Sequence, residues 1–310
     1  MDTKQIEYIL KIADEKSITR AADKLFITQS ALSQQLQKLE KELNTSLFIR
    51  NKSDWIPTPE GKIYLENARE ILRIKQFTYS VIGDMACAHK NFLSIGMTPG
   101  RGPDMFTHIY PLFHQKYPLT TVEPRELSVK RQQEEIRKGN LDLGFMTLLD
   151  SQRTIDTYID LFEEELFIGI PKDYPLPELH LLHSSAAFDR AYPDSYPEVD
   201  LKCFQHDSFV LMYKESTVRV ITDQIFSDAA FTPNILFETS SIRTIISMIQ
   251  AKLCVGLIPY HYVKQKPEGV RFLRMPQHPH WTVCACCRKG AYISHAAKTF
   301  MELVKEYWTS

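Results

Sequence analysis

The run Ser17-Ile18-Thr19-Arg20-Ala21-Ala22-Asp23-Lys24-Leu25, followed after Phe26-Ile27 by Thr28-Gln29-Ser30-Ala31-Leu32-Ser33-Gln34-Gln35-Leu36, decides how this chain folds. Ile18, Ala21, Ala22 and Leu25 recur at i, i+3, i+4, i+7, one face of a helix, with Ser17 in the capping position before them. Phe26 and Ile27 break that period. Thr28 then caps a second helix whose apolar positions Leu32, Leu36, Leu39 and Leu43 again share a face. Two short helices joined by a tight turn predict a helix-turn-helix. Upstream, Ile6, Ile9, Leu10 and Ala13 predict a further helix.

The outer face of the second helix shows Gln29, Ser30, Ser33, Gln34 and Gln37. An ordinary solvated face carries Glu/Lys pairs, as Lys38, Glu40, Lys41 and Glu42 do further along. An uncharged amide-and-hydroxyl start beside a turn suits a groove instead: Gln pairs with adenine edges, and Ser serves base edges or phosphates. Thr28, with Ser17 and Arg20 at the start of the preceding helix, joins these candidate DNA contacts. Next, Leu47 to Thr58 places two short apolar runs around a polar turn, a hairpin whose Arg50 and Lys52 are positioned to reach phosphate or the minor groove.

These segments, together with Leu39-Glu40-Lys41-Glu42-Leu43, Leu47-Phe48-Ile49-Arg50 and Thr58-Pro59-Glu60-Gly61, closely resemble the N-terminal winged helix-turn-helix of LysR-type transcriptional regulators. The resemblance runs to about residue 65. One departure is Gln34, where the family often has Arg. The likeness implies double-stranded DNA with an interrupted palindrome as partner and a homodimer, commonly a homotetramer. RNA polymerase is the further partner that such a regulator implies.

Beyond Thr58 and Pro59, a helix start with Pro at its favoured first position, a heptad pattern runs through Tyr64, Ile71, Thr78, Met85 and Asn67, Ile74, Val81, Ala88. One buried helix gives the same pattern; the family resemblance implies a linker helix pairing two subunits. From residue 92, strands and helices alternate, which predicts a parallel α/β unit. The runs Asn140 to Phe145 and Ala251 to Pro259 resemble the family's effector-binding domain, itself similar to type 2 periplasmic binding proteins. The expected organisation is therefore a DNA-binding domain at 1–60, a linker helix at 61–90 and an effector-binding domain at 91–310. Its subdomain I would comprise 91–163 and 268–310, and its subdomain II 164–267. The polar stretch Pro175 to Asp200 reads as an exposed insertion.

In two-lobed α/β units a ligand sits beyond the carboxyl ends of the strands. Those ends lead into Thr98-Pro99-Gly100-Arg101, Ser128, Met146-Thr147 and Ser240-Ser241. Thr98 and Ser241 precede helices, whose free N–H groups favour an anion, and Arg101 adds a charge. The bland alternative is that these hydroxyls only cap their helices. The expectation is a small-molecule effector, an anionic metabolite held with apolar help from Met146, Phe209 and Met212.

Composition excludes other classes. The 310 residues carry 37 basic and 38 acidic side chains, so the chain is not a generally basic nucleic-acid binder. Its first sixty residues hold nine of each sign, and any DNA contact is a matter of arrangement. No apolar run is long enough to span a membrane, and a polar N-terminus is no signal peptide, which places the chain in the cytoplasm with its six cysteines reduced. Cys284, Cys286 and Cys287 read as small buried side chains on a strand, the first two on one face and the third on the other. Neither dinucleotide, P-loop, nucleophile-elbow nor His-Glu-x-x-His fingerprints occur. His180/His183 and His278/His280 lack the remaining ligands of a metal site. No enzyme, cofactor or metal is expected. The competing reading is a cytosolic solute-binding protein or an enzyme on the same two-lobed fold.

Overall fold

Local capping builds the first helices of the computed structural model, which describes residues 2–51, 54–85, 92–176 and 196–309. Asp2 caps α1 (Thr3–Glu15), Ser17 caps α2 (Ile18–Leu25) and Thr28 caps α3 (Gln29–Leu43), each side chain accepting an amide of its own first turn. Lys16, Phe26 and Asn44 end these helices in the left-handed region. Ile9, Ile12, Ala21, Ala22, Leu32, Leu36 and Leu39 close over one core, where the two alanines let α2 approach its neighbours. The hairpin of β1 (Phe48–Arg50) and β2 (Trp55–Pro57) follows, with Phe48 opposite Pro57.

Helix α4 (Pro59–Met85) starts on a tightly specified corner. The Thr58 hydroxyl accepts the Gly61 amide at 2.9 Å and donates to the Ser46 carbonyl at 2.8 Å. A Cβ on Gly61 would stand 2.0 Å from the Leu47 carbonyl oxygen, so only glycine lets the helix start there. Leu65 and Ala68 are buried, and Tyr64, expected on the pairing seam, packs on the core of the N-terminal helices instead. The later apolar positions Ile74, Ile82 and Met85 are exposed. The 27 residues span about 40 Å. Ala88, Cys87, Lys52, His180 and His183 lie outside the described residues.

The chain separates into two compact units, residues 1–88 and 89–310. In the second, β3 (Phe92–Met97), α5 (Arg101–Lys116), β4 (Thr121–Glu126), α6 (Val129–Lys138) and β5 (Leu143–Leu148) alternate as expected. β3 lies between β4 and β5, parallel to both. Then β6 (Thr157–Pro171) runs for 15 residues. β7 (Ser208–Met212), α7 (Thr217–Asp228), β8 (Asn234–Thr239), α8 (Ile242–Gln250), β9 (Gly256–Pro259), α9 (Tyr260–Val263) and β10 (Val270–Leu273) make the second lobe. β11 (His280–Cys287) and α10 (His295–Thr309) return to the first.

Strand β6 belongs to both lobes. Its first half pairs with β11, and its second half pairs with β9 and β10. The sheet therefore continues from one lobe into the other through a strand. Three expectations are corrected here. The return crossing does not fall near residue 267, because β10 still pairs with Ile168–Pro171; the chain comes back between Leu273 and His280. The closing strand β11 is antiparallel to both neighbours, not parallel. The end of the presumed exposed insertion is also buried: Glu198 bridges Arg274, and Val199 is in the core. Alternation along β11 holds, with Cys284 and Cys286 packed beside Met146 and Leu148, and Cys287 in the main core.

Candidate DNA-reading surface and effector cleft

The turn between α2 and α3 exposes the amide-and-hydroxyl face. Thr28, Gln29, Ser30, Gln34 and Gln37 are exposed and Ser33 is half-buried. Their order along α3 puts Leu32, Leu36 and Leu39 underneath and these groups outside. The Thr28 hydroxyl accepts the Ala31 amide at 3.2 Å and lies 3.1 Å from the Ser30 hydroxyl. Ser17 is engaged as a cap, accepting the Arg20 amide, and the Arg20 guanidinium donates to the Glu15 carbonyl. On the wing, Arg50 donates to Glu40 at 3.0 Å and lies over the Trp55 ring, 5.2 Å from its centroid. Glu40 also accepts the Leu47 amide, which ties the wing to α3.

In the second unit a cavity of about 220 Å³ is lined by Thr98, Pro99, Gly100, Arg101, Ser128, Thr147, Met212 and Ser240 among the expected residues. Val129, Tyr213, Glu215, Ser216, Thr217, Val218 and Ile242 complete it. Gly100, at φ 84°, turns the chain into α5 where a side chain would be strained. Ser128, Ser216 and Ser241 cap α6, α7 and α8, each accepting one amide of its helix.

Two expected cleft residues are elsewhere. β5 runs on to Leu148, so alternation turns Thr147 to the cavity and Met146 to the other face, against Leu141, Cys284 and Cys286. Phe209 is fully buried in the main core, edge-on to Phe226 at a centroid distance of 5.0 Å. Ser241 caps its own helix between Ser240 and Ile242, which line the cavity. The missed lining at Ser216–Val218 had a signal: Ser216 precedes a legible helix, as Ser128 does.

Arg101 is not a free cation. Its guanidinium donates twice to Glu164, at 2.7 and 3.1 Å, and lies 4.3 Å from the centroid of the Trp308 ring. Glu164, completely buried, also accepts from Trp281 Nε1 at 2.8 Å and the His261 amide at 2.9 Å. This network joins the cavity wall to β6, α9 and α10. Burial pushes His261 down to about 3, aided by the Arg101 charge. Its neutral form is the native one, so stability from this group is complete above about 6.5 and is lost as pH falls toward 3. The loss is about 1.4 kcal/mol per pH unit at most. Thermal melts from pH 7 to 5 should show this slope, and His261→Gln should flatten it; an equal slope in the variant would assign the acid sensitivity elsewhere.

Burial also pushes the Cys284 and Cys286 thiols up to about 12, which leaves them protonated and unreactive. His278 meets Glu165 at 3.0 Å, and among the described residues no group of three or more His, Cys, Asp or Glu is disposed to hold a metal. Nor is any described helix long and apolar enough to cross a membrane.

Residues 3–62 match the bacterial regulatory helix-turn-helix of the lysR family, and residues 89–309 match the LysR substrate binding domain. The chain belongs to the LysR family of transcriptional regulators. This LysR regulator is 30% identical to the uncharacterized HTH-type transcriptional regulator YcgK of Bacillus subtilis over 99% of its own length and 94% of the relative's. It is 31% identical to the Hca operon transcriptional activator HcaR of Escherichia coli, with 84% of this chain and 82% of that one covered. Among solved structures, full-length OxyR from Pseudomonas aeruginosa matches with a TM-score of 0.68 at 24% identity, covering 99% of this chain and 94% of that one. Full-length CbnR in complex with its target DNA matches at 0.56 and 18%, covering 99% and 100%; both likenesses are of fold. As a LysR-type regulator the chain binds DNA through its N-terminal unit and carries an effector-binding domain of two α/β lobes.

Proposed function

We propose that this regulator binds an interrupted palindrome as a homodimer paired through α4, and that a small acid with an apolar body, seated in the cleft, modulates DNA binding or activation. One observation carries the ligand class: the starts of four helices, α5, α6, α7 and α8, line one cavity. Each helix start holds about half a positive charge and more N–H donors than one cap satisfies. Because Glu164 neutralises Arg101, these helix ends and not a side chain supply the attraction. Pro99, Val129, Met212, Val218 and Ile242 suit the apolar body, and the exposed Glu215 disfavours a second acidic group at the rim.

Pairing is supported by the exposed Ile74, Ile82 and Met85 on α4. Association into a tetramer is supported by the second unit, where β4 and β8 are terminal strands and Ile235, Leu236 and Phe237 of β8 are exposed.

Asp caps a helix about as well as Ser, so Ser128→Asp keeps α6 intact and places a negative charge in the cleft. Calorimetric titration with matched acids and amides (hexanoate and hexanamide, phenylacetate and phenylacetamide) reads the class. The native protein should prefer an acid over its amide, and Ser128→Asp should weaken that acid about tenfold or more, with Ser128→Asn near native and DNA retardation unchanged. A preference for the amides, or acid binding indifferent to Ser128→Asp, would overturn the anion reading.

A further inference from the structure

Phe26 is the most exposed of the large apolar side chains described, at 94%. It also holds φ 55° and ψ 40°, a left-handed conformation that suits Gly or Asn and is uncommon for a bulky residue. Its amide closes α2 through the Ala22 and Asp23 carbonyls, work that any residue with an N–H performs. The ring thus contributes nothing to the core of its own unit, while Asn44 ends α3 in the same conformation with a side chain suited to it. Both features stand two residues before the Thr28 cap, on the end of α3 whose Gln29 and Ser30 are exposed.

We propose that Phe26 is a base-reading residue whose ring packs on the C5-methyl group of a thymine bordering the bases faced by α3. The proposal rests on α3 being the groove-reading helix. Continuity with that surface identifies the occupant as duplex DNA. In the major groove the thymine methyl is the one apolar group a base edge offers, and Phe is among the side chains that contact it. An aromatic ring there complements the Gln and Ser side chains, which read donors and acceptors but not methyl groups. Specificity at that position is then apolar, and insensitive to salt in a way that phosphate contacts are not.

The test uses the full-length protein and the duplex it protects in the region upstream of its own gene. Each thymine of a half-site is replaced in turn by deoxyuridine, which removes only the methyl. The native protein should lose about fourfold in affinity at one position per half-site, the change expected for one methyl-sized group. Phe26→Asn, which fits the left-handed conformation better, should melt no lower than native, bind the natural duplex about tenfold or more weakly, and be blind to deoxyuridine at that same position. Unchanged affinity in the variant overturns the proposal, as does weakened binding that keeps the native response to every deoxyuridine. Gln29→Ala and Ser33→Ala separate the two readings. If these leave specific binding intact, α3 is wrongly assigned, whereas the deoxyuridine pattern judges Phe26 by itself.

Discussion

Aspartate at both Ile74 and Ile82 should halve the mass of the assembly in sedimentation and lower affinity for the full palindrome by about 10²–10⁴-fold. The two side chains are exposed on α4, beyond the Leu65 and Ala68 that dock the helix on its own DNA-binding core. Two apolar residues eight apart stand roughly 80° from each other around the helix, within the breadth of one apolar stripe that another helix can cover. A charge buried in such a seam without a partner is strongly unfavourable, and the subunits separate. Affinity then falls because two half-sites held by one dimer act at high effective concentration, which a monomer forfeits. Retained mass would show that α4 is not the pairing element. Loss of mass with unchanged operator affinity would show that one half-site suffices.

The second large effect concerns Glu164. Glu164→Gln keeps the shape of the side chain and removes the charge that the doubly bonded Arg101 needs, 10% exposed and stacked on Trp308. Leaving one member of a buried ion pair unmatched costs about 3–5 kcal/mol. In a unit of this size that is roughly 10 °C of melting temperature. Adding Arg101→Met to Glu164→Gln should recover much of the loss, since it removes the unmatched charge while the introduced amide still offers an oxygen to the buried Trp281 or His261 N–H. A melting temperature for Glu164→Gln within a degree or two of native would deny the network its structural role.

Much of this was open to reading along the chain because it is local. Ser17, Thr28, Thr58, Ser128 and Ser241 announce helix starts by their own chemistry, and each does cap one. The leucines of α3 sort themselves by period alone. What escaped reading depends on distant partners. Thr157 to Glu163 show little alternation and become a strand because β11, more than a hundred residues later, pairs with them. Arg101 reads as a free cation until Glu164, 63 residues away, is placed against it. β5 runs two residues past Met146, and alternation then turns that side chain away from the cleft; where a strand ends is set by its pairing and not by a local signal. On the reading surface, Phe26 had registered only as an interruption of a pattern; its exposure became visible in three dimensions.

Because β6 is common to both lobes, and one apolar core runs from Leu93 and Phe145 through Ile168 to Leu211 and Val255, neither lobe is a module. A chimaera that exchanged a single lobe with a relative would have to cut a strand in mid-ladder and rejoin two halves of one core. Transplanting ligand specificity between regulators of this build therefore means moving residues 89–310 whole, with the join at the boundary of the two compact units. Specificity and response travel as one cassette.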